Sequence, residues 1–182
     1  DINRKGSEMD TIFKRRSVRK YSETKITDEQ VKQIIKAGMA APSAKNSQEW
    51  VFIVVRDKAI YDAFLAIHPN AFALKTADVA ILVCADLTKE KEGGQGWWIQ
   101  DCSAAVQNML LEATDMGLGS LWMGVYPKED RLTCINAACK LPEHIVPLGM
   151  VSVGEQTKEY DPIDRYLEDQ VFFNTYGTKW EY

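Results

Sequence analysis

Residues 41 to 55 read APSAKNSQEWVFIVV, and this stretch decides what kind of fold the chain can take. Its second half, Trp50 to Val55, is β-branched and aromatic with no polar interruption, the composition of a strand covered on both faces. Its first half is small residues and amides, the composition of a loop that joins a helix to a strand. Upstream, Thr27 and Gln30 stand three apart ahead of Val31, Ile34, Ile35 and Gly38. That spacing predicts a helix opened by a capping box and ending near Ala41, before Pro42. Downstream, DVAILVCA at 78 to 85 repeats the buried-strand signature, and KAIYDAFLAI between the two strands spaces its apolar residues as a helix. The order is strand, helix, strand.

The rest of the chain continues to alternate. From Trp97 to Met116 the apolar positions Ile99, Cys102, Val106, Met109, Leu110, Ala113 and Met116 recur at three and four, with Gly117 as the stop. The opposite face of this longest helix carries Ala104, Ala105, Asn108 and Leu111 rather than charge, so it is expected to be buried on more than one side. SLWMGV at 120 to 125 reads as a short strand, EDRLTCINAAC at 129 to 139 as a helix, and IVPLGMVSVG at 145 to 154 as another buried strand. The segment from Tyr160 to Tyr182 is rich in aromatics without a period. Exposed, that surface is costly, so it is expected to lie in a groove of its own subunit or of a partner.

The chain has 182 residues, 46% of them hydrophobic, enough for one domain with a real core. Residues 1 to 8, DINRKGSE, show neither apolar periodicity nor caps. They are set aside as an appended or disordered lead with the native start expected at Met9, and residues 9 to 182 are read as a single domain. No apolar run approaches the roughly 18 to 20 residues of a membrane span, so a soluble, cytoplasmic protein without membrane contact is expected. Cys84, Cys102, Cys134 and Cys139 form no CxxC pair, and with only His68 and His144 beside them no metal-ligand spacing is present. Cys84 and Cys102 fall in apolar patterns and are read as core residues. A cysteine–histidine nucleophile has no recognisable context here.

One island of charge stands out. Residues 14 to 20, KRRSVRK, hold five of the 22 bases and none of the 26 acids. Nucleic-acid binding draws on a broad basic face, whereas an island this small suits one small anion or a solvated surface. Arg15, Ser17 and Arg19 alternate, so in extended chain their side chains point the same way and converge on one ligand. Arginine's planar fork suits two oxygens of a phosphate. Ser43, Asn46, Ser47 and Gln48 in the opening stretch offer donors and acceptors for the polar edge of a planar heterocycle. GLGSLWMGVYP, 117 to 127, adds glycines that permit close backbone approach to a ligand.

Taken in order, RRSVRKYS, APSAKNSQEWVFIVV and MGLGSLWMG resemble the nitroreductase family of FMN-dependent oxidoreductases, over residues 12 to about 155. The resemblance implies an α+β fold with a central, mostly antiparallel sheet flanked by helices. It also implies an obligate-type homodimer, with an FMN at each side of the interface and the helix at 97 to 116 building that interface. By the same resemblance Arg15, Arg16 and Ser17 hold the FMN phosphate and ribityl end, and Arg19 lies near the pyrimidine edge. Pro42, Ser43, Ala44 and Asn46 belong to the loop that reaches in from the other subunit. Trp122, Met123 and Gly124 pass near flavin N5, and Arg165 completes the phosphate site. The sequence departs from the family at Ala44, where a second serine is common, and at Glu49, where proline often precedes Trp50. It is also shorter than the larger members.

The implied reaction is ping-pong: NADH or NADPH delivers hydride to flavin N5 and leaves, and a nitroaromatic or quinone-like acceptor takes its place. The cofactor carries the chemistry, so no catalytic side chain and no metal is required, and Arg19 is expected to tune the flavin. No G-x-G-x-x-G fingerprint is present, in keeping with a nicotinamide that visits. The competing readings are a dehalogenation or ene reduction on the same fold and cofactor, or a non-enzymatic anion-binding module.

Overall fold

Strands form where the apolar runs stand. The computed structural model describes residues 11 to 91 and 96 to 181, so the lead at 1 to 8 and Met9 lie outside the described residues. Strand β1 spans Trp50–Val55, β2 Val79–Asp86, β3 Leu118–Gly124 and β4 Ile145–Glu155. They make one four-stranded sheet in the order β1-β2-β4-β3. Every neighbouring pair is antiparallel, so the fold is α+β as expected.

The alternation of β2 shows why the sheet has two covered faces. Val79, Ile81, Val83 and Ala85 join a core with α2, Asp28–Met39, and α4, Trp98–Asp115. The intervening Ala80, Leu82 and Cys84 join a second core with α3, Lys58–Ile67, and α5, Glu129–Cys139. Successive side chains of a strand point to opposite faces, and here both faces are dry. Cys84 and Cys102 are fully buried, as expected, and burial pushes the Cys84 thiol up to about 12.

β1 departs from expectation. It is an edge strand, paired only to β2, and Val54 is 46% exposed. An unbroken apolar run does not distinguish an edge strand with one open position from a central one. The helices follow their signals closely. Thr27 Oγ1 accepts from the Gln30 amide at 3.2 Å while Gln30 Oε1 accepts from the Thr27 amide at 2.9 Å, so the capping box closes. α2 ends at Met39, and Gly117 ends α4 with a φ of 73°. α4 packs on the sheet through Cys102, Val106 and Met109, and its other sides border two surface cavities.

The aromatic tail does not bury itself. Its start is tied to the body, because the Ile163 amide donates to the Phe13 carbonyl at 2.9 Å. Beyond that it runs exposed: Tyr166, Phe173 and Trp180 are more than two-fifths accessible and Tyr176 is 93% accessible. Among the described residues the tail therefore does not lie in a groove of its own chain.

The segment after α1, Thr11–Lys14, is laid against the sheet by two glycines. Gly119 of β3 pairs with Gly154 of β4. A Cβ on Gly119 would meet Val18 at 2.8 Å, and one on Gly154 would meet Tyr21 Cγ at 2.4 Å. The pair is thus a flat floor under Val18 and Tyr21, both buried. The segment is fastened there by Val18 N–H to the Ser120 carbonyl and Ser22 N–H to the Glu155 carbonyl, each 2.9 Å. The Tyr21 hydroxyl lies 2.9 Å from the Val18 carbonyl and 2.8 Å from Ser152 Oγ.

Gly154→Ala is expected to destabilise by about 1 to 3 kcal/mol, since the ring base of Tyr21 has no room to retreat. A Cβ on Gly38 would meet Met109 Cγ at 2.9 Å and Phe52 Cε1 at 3.3 Å, and the helix-propensity gain of about 1 kcal/mol partly offsets those looser contacts, so Gly38→Ala is expected to cost less. Urea unfolding of the two variants should separate them by a clear shift in midpoint.

Candidate functional site

The segment after α1 meets β3 at Ser17 and passes on to the end of β4 at Tyr21. Ser17 bridges Ser120 in parallel register, and Arg15 and Ser17 face a cavity of about 630 Å³. That volume is within the roughly 300 to 1,000 Å³ of small-molecule and cofactor sites. Trp122 and Gly124 from β3 form a second wall, α4 contributes Ser103 and Gln107, and the Tyr126-Pro127 turn closes one end.

Each wall is held from behind. The Trp122 indole lies across Gly149 of β4, where a Cβ would meet Nε1 at 2.5 Å. The Tyr126 ring meets Trp98 edge to face, with centroids 4.9 Å apart, the arrangement aromatic quadrupoles prefer. Arg131 on α5 donates from Nη1 to the Gly124 carbonyl at 2.9 Å, fixing the end of β3. Arg19 donates from Nη1 to the Ser17 carbonyl at 3.2 Å, which keeps a second guanidinium beside the Arg15–Ser17 side of the segment.

Four of the residues expected from the sequence, Arg15, Ser17, Trp122 and Gly124, therefore line one cavity, with Arg19 adjoining. Met123 does not face it. Its side chain is buried in the α3/α5 core, as the alternation of β3 demands. Arg16 is turned away as well. Its Nε donates to the Asp161 carbonyl at 3.0 Å and Nη2 reaches the same oxygen, so the side chain grips the start of the tail. With Lys14, Glu159 and Tyr160 it lines a separate cavity of about 300 Å³. The Arg16 side chain thus does not face the cavity that Arg15 and Ser17 line.

Pro42, Ser43, Ala44 and Asn46 do not line the cavity of their own chain, and neither does the exposed Arg165. The 43 to 48 loop instead folds tightly on itself. Ser43 Oγ accepts from the Gln48 amide at 3.0 Å, and Lys45, Asn46 and Gln48 all adopt positive φ. Its foot rests on α4, where the Ala44 amide donates to Asp101 Oδ2 at 3.0 Å. Residues missed in the sequence are those of the α4 wall. Ile99, Ser103, Gln107 and Leu110 recur at four, four and three, one face of a helix, but Ile99 and Leu110 read equally well as core positions.

The fold is antiparallel α+β, with a cofactor-sized cavity between an arginine-bearing segment and an exposed strand end. Comparison with known proteins gives the family. The nitroreductase family model matches residues 12–71 and 67–155. A protein of Archaeoglobus fulgidus, provisionally named an NADH dehydrogenase/NAD(P)H nitroreductase, is 42% identical over 163 residues, covering 88% of this chain and 93% of its own. Among solved structures, an FMN-dependent nitroreductase of Clostridium difficile R20291 aligns with a TM-score of 0.82 at 30% identity, over 91% of this chain and 98% of that one. A provisionally named nitroreductase from Desulfovibrio desulfuricans, in complex with FMN, aligns at 0.78 and 29% identity over 91% and 95%. This chain belongs to the nitroreductase family.

The division of labour between neighbouring arginines is measurable. Arg16→Ala should speed limited proteolysis within residues 160 to 181 by severalfold, because it removes the bonds to the Asp161 carbonyl. Arg15→Ala should leave that rate unchanged.

Proposed function

We propose that the chain is an FMN-dependent NAD(P)H oxidoreductase that passes reducing equivalents to a nitroaromatic or quinone-like acceptor, working as a cytoplasmic homodimer. The observation that carries this reading is the convergence of Arg15, Ser17 and the Trp122–Gly124 strand end on one cavity. These residues fit the cofactor. A guanidinium and a hydroxyl side by side match a phosphate, and an exposed strand end with a glycine matches close approach of a flat ring.

When bound, FMN supplies the electron-transfer chemistry. Arg15 and Ser17 hold its phosphate end, and Arg19 adds positive charge on the same side. Trp122, the Met123 backbone and Gly124 form the surface on which the ring rests. Pro42, Ser43, Ala44 and Asn46 of a second copy complete the site, with Arg165 closing its phosphate end. The exposed tail aromatics and the apolar groove between α2 and α4, lined by Ala37, Ala40 and Leu111, support that second copy, since so much apolar surface is costly in water.

The missing dinucleotide fingerprint and the half-open cavity support sequential use of one face, with the oxidised nicotinamide leaving before the acceptor arrives. No described helix is long and apolar enough to cross a membrane, and all four cysteines are free, in keeping with a reducing compartment.

The purified protein should be yellow, with flavin absorption bands released on denaturation, and should give parallel-line kinetics with NAD(P)H and a nitroaromatic. A colourless protein that does not take up added FMN overturns the reading. Arg15→Gln should raise the FMN dissociation constant at least tenfold, about the worth of one charge-assisted bond, and Arg16→Gln should change it little. Arg19→Gln should lower the midpoint potential of the bound flavin, because positive charge favours its anionic reduced form. An unchanged potential removes Arg19 from that role.

A further inference from the structure

Glu49, which stands where the family often has proline, is fully buried. Its side chain does two things. Oε2 accepts from Ser47 Oγ at 2.6 Å, tying the last turn of the 43 to 48 loop to the start of β1. Oε1 finds no hydrogen-bond partner among the described residues, and the carboxyl of Asp101 is the charged neighbour that acts with it. Asp101 lies in the first turn of α4, is only 7% exposed, and accepts the Ala44 amide on Oδ2.

Two buried carboxyl groups set side by side under one loop cannot both be ionised without a large cost, because nothing in a dry interior screens like charges. A single proton between them removes the repulsion and turns the contact into a strong bond. The geometry favours Asp101 as the proton's holder. Glu49 Oε2 is engaged by the Ser47 hydroxyl, while Asp101 has one oxygen engaged by the Ala44 amide and the other left for the proton.

We propose that Glu49 and Asp101 share one proton, and that this bond clamps the Ser43–Gln48 loop onto α4, making the loop firmer in mild acid than at neutral or alkaline pH. The proposed use of the clamp, to set the loop that completes the cofactor site, rests on the function proposed above.

The charged surroundings agree. Glu90, whose Oε1 accepts the Trp98 amide at 3.3 Å, adds a third acid beside Asp101. The Cys102 thiol next to it is held neutral by burial and by Glu49. Lys45 and Lys91 stand on the loop side, Lys91 donating to the Lys45 carbonyl at 3.4 Å. The α4 N-terminus and the Ala44 amide favour charge on Asp101. Burial, and then Glu49, act against it and push its carboxyl up to about 6.

A carboxyl whose affinity for its proton is raised by folding makes the folded state less stable as pH rises through the window from its unfolded value to about 6. Asp101→Asn places an amide where the shared proton was: its oxygen accepts from Ala44 and its N–H donates to Glu49. Glu49→Gln does the same from the other side.

The test is urea unfolding of the apoprotein at a series of pH values for the parent and both variants, with FMN affinity followed by flavin fluorescence. Between pH 4 and pH 7 the unfolding constant of the parent should rise relative to Asp101→Asn by up to about a hundredfold, then level off, and Glu49→Gln should track Asp101→Asn. FMN affinity of the parent should weaken over the same window, and that of Asp101→Asn should weaken less. A constant offset between parent and variants at every pH overturns the shared proton. Failure of the parent to bind FMN at any pH, with the unfolding series as expected, overturns the cofactor reading and the clamp's link to it, and is distinguished from the first result by the unfolding data.

Discussion

The close approach of residues 17 to 22 to the sheet is the constraint from which the site follows. Only glycine at both Gly119 and Gly154 leaves room for Val18 and Tyr21 on that face of β3 and β4. Once those two side chains are seated, backbone parity leaves no freedom. Arg15 and Ser17 turn toward the larger cavity, and Arg16 turns toward the tail. A segment free in solution would scatter its charges, whereas one laid on a glycine floor sorts them into a cavity-facing set and a set that grips the tail.

The sheet supplies the rest of the frame. β2 is covered on both faces, so α4 is pressed against a wholly apolar surface and cannot shift without opening the core. That helix then serves three structures at once. Its inner stripe packs on the sheet, Ser103 and Gln107 line the cavity, and Asp101 holds the loop foot. The absence of a charged face, evident in Ala104, Ala105, Asn108 and Leu111, follows from this crowding rather than from burial alone.

Cys84 and Cys102 are locked as neutral thiols by burial, and among the described residues no cluster of ligating groups stands ready for a metal. The buried groups that do carry polar chemistry, Glu49 and Asp101, lie under the loop and away from the cavity walls. Their place in the fold is to position backbone rather than to react.

Much of this was legible in the residues. The unbroken runs at 50 to 55 and 145 to 154, the capping box at Thr27 and the 3.6-residue spacing of α4 report local preferences, and local preferences survive into the fold where the core agrees with them. Arg15 and Ser17, two apart in the sequence, do line one cavity, whereas Arg19 is held on the Ser17 carbonyl beside it. What only the tertiary structure decided were matters of pairing. It decided that β1 sits at an edge, that Ile99 and Leu110 border a cavity as well as a core, that Arg16 reaches Asp161 across the chain, and that Glu49 meets Asp101. Each joins residues distant in sequence, and no period or propensity along a chain encodes which distant group a side chain will meet.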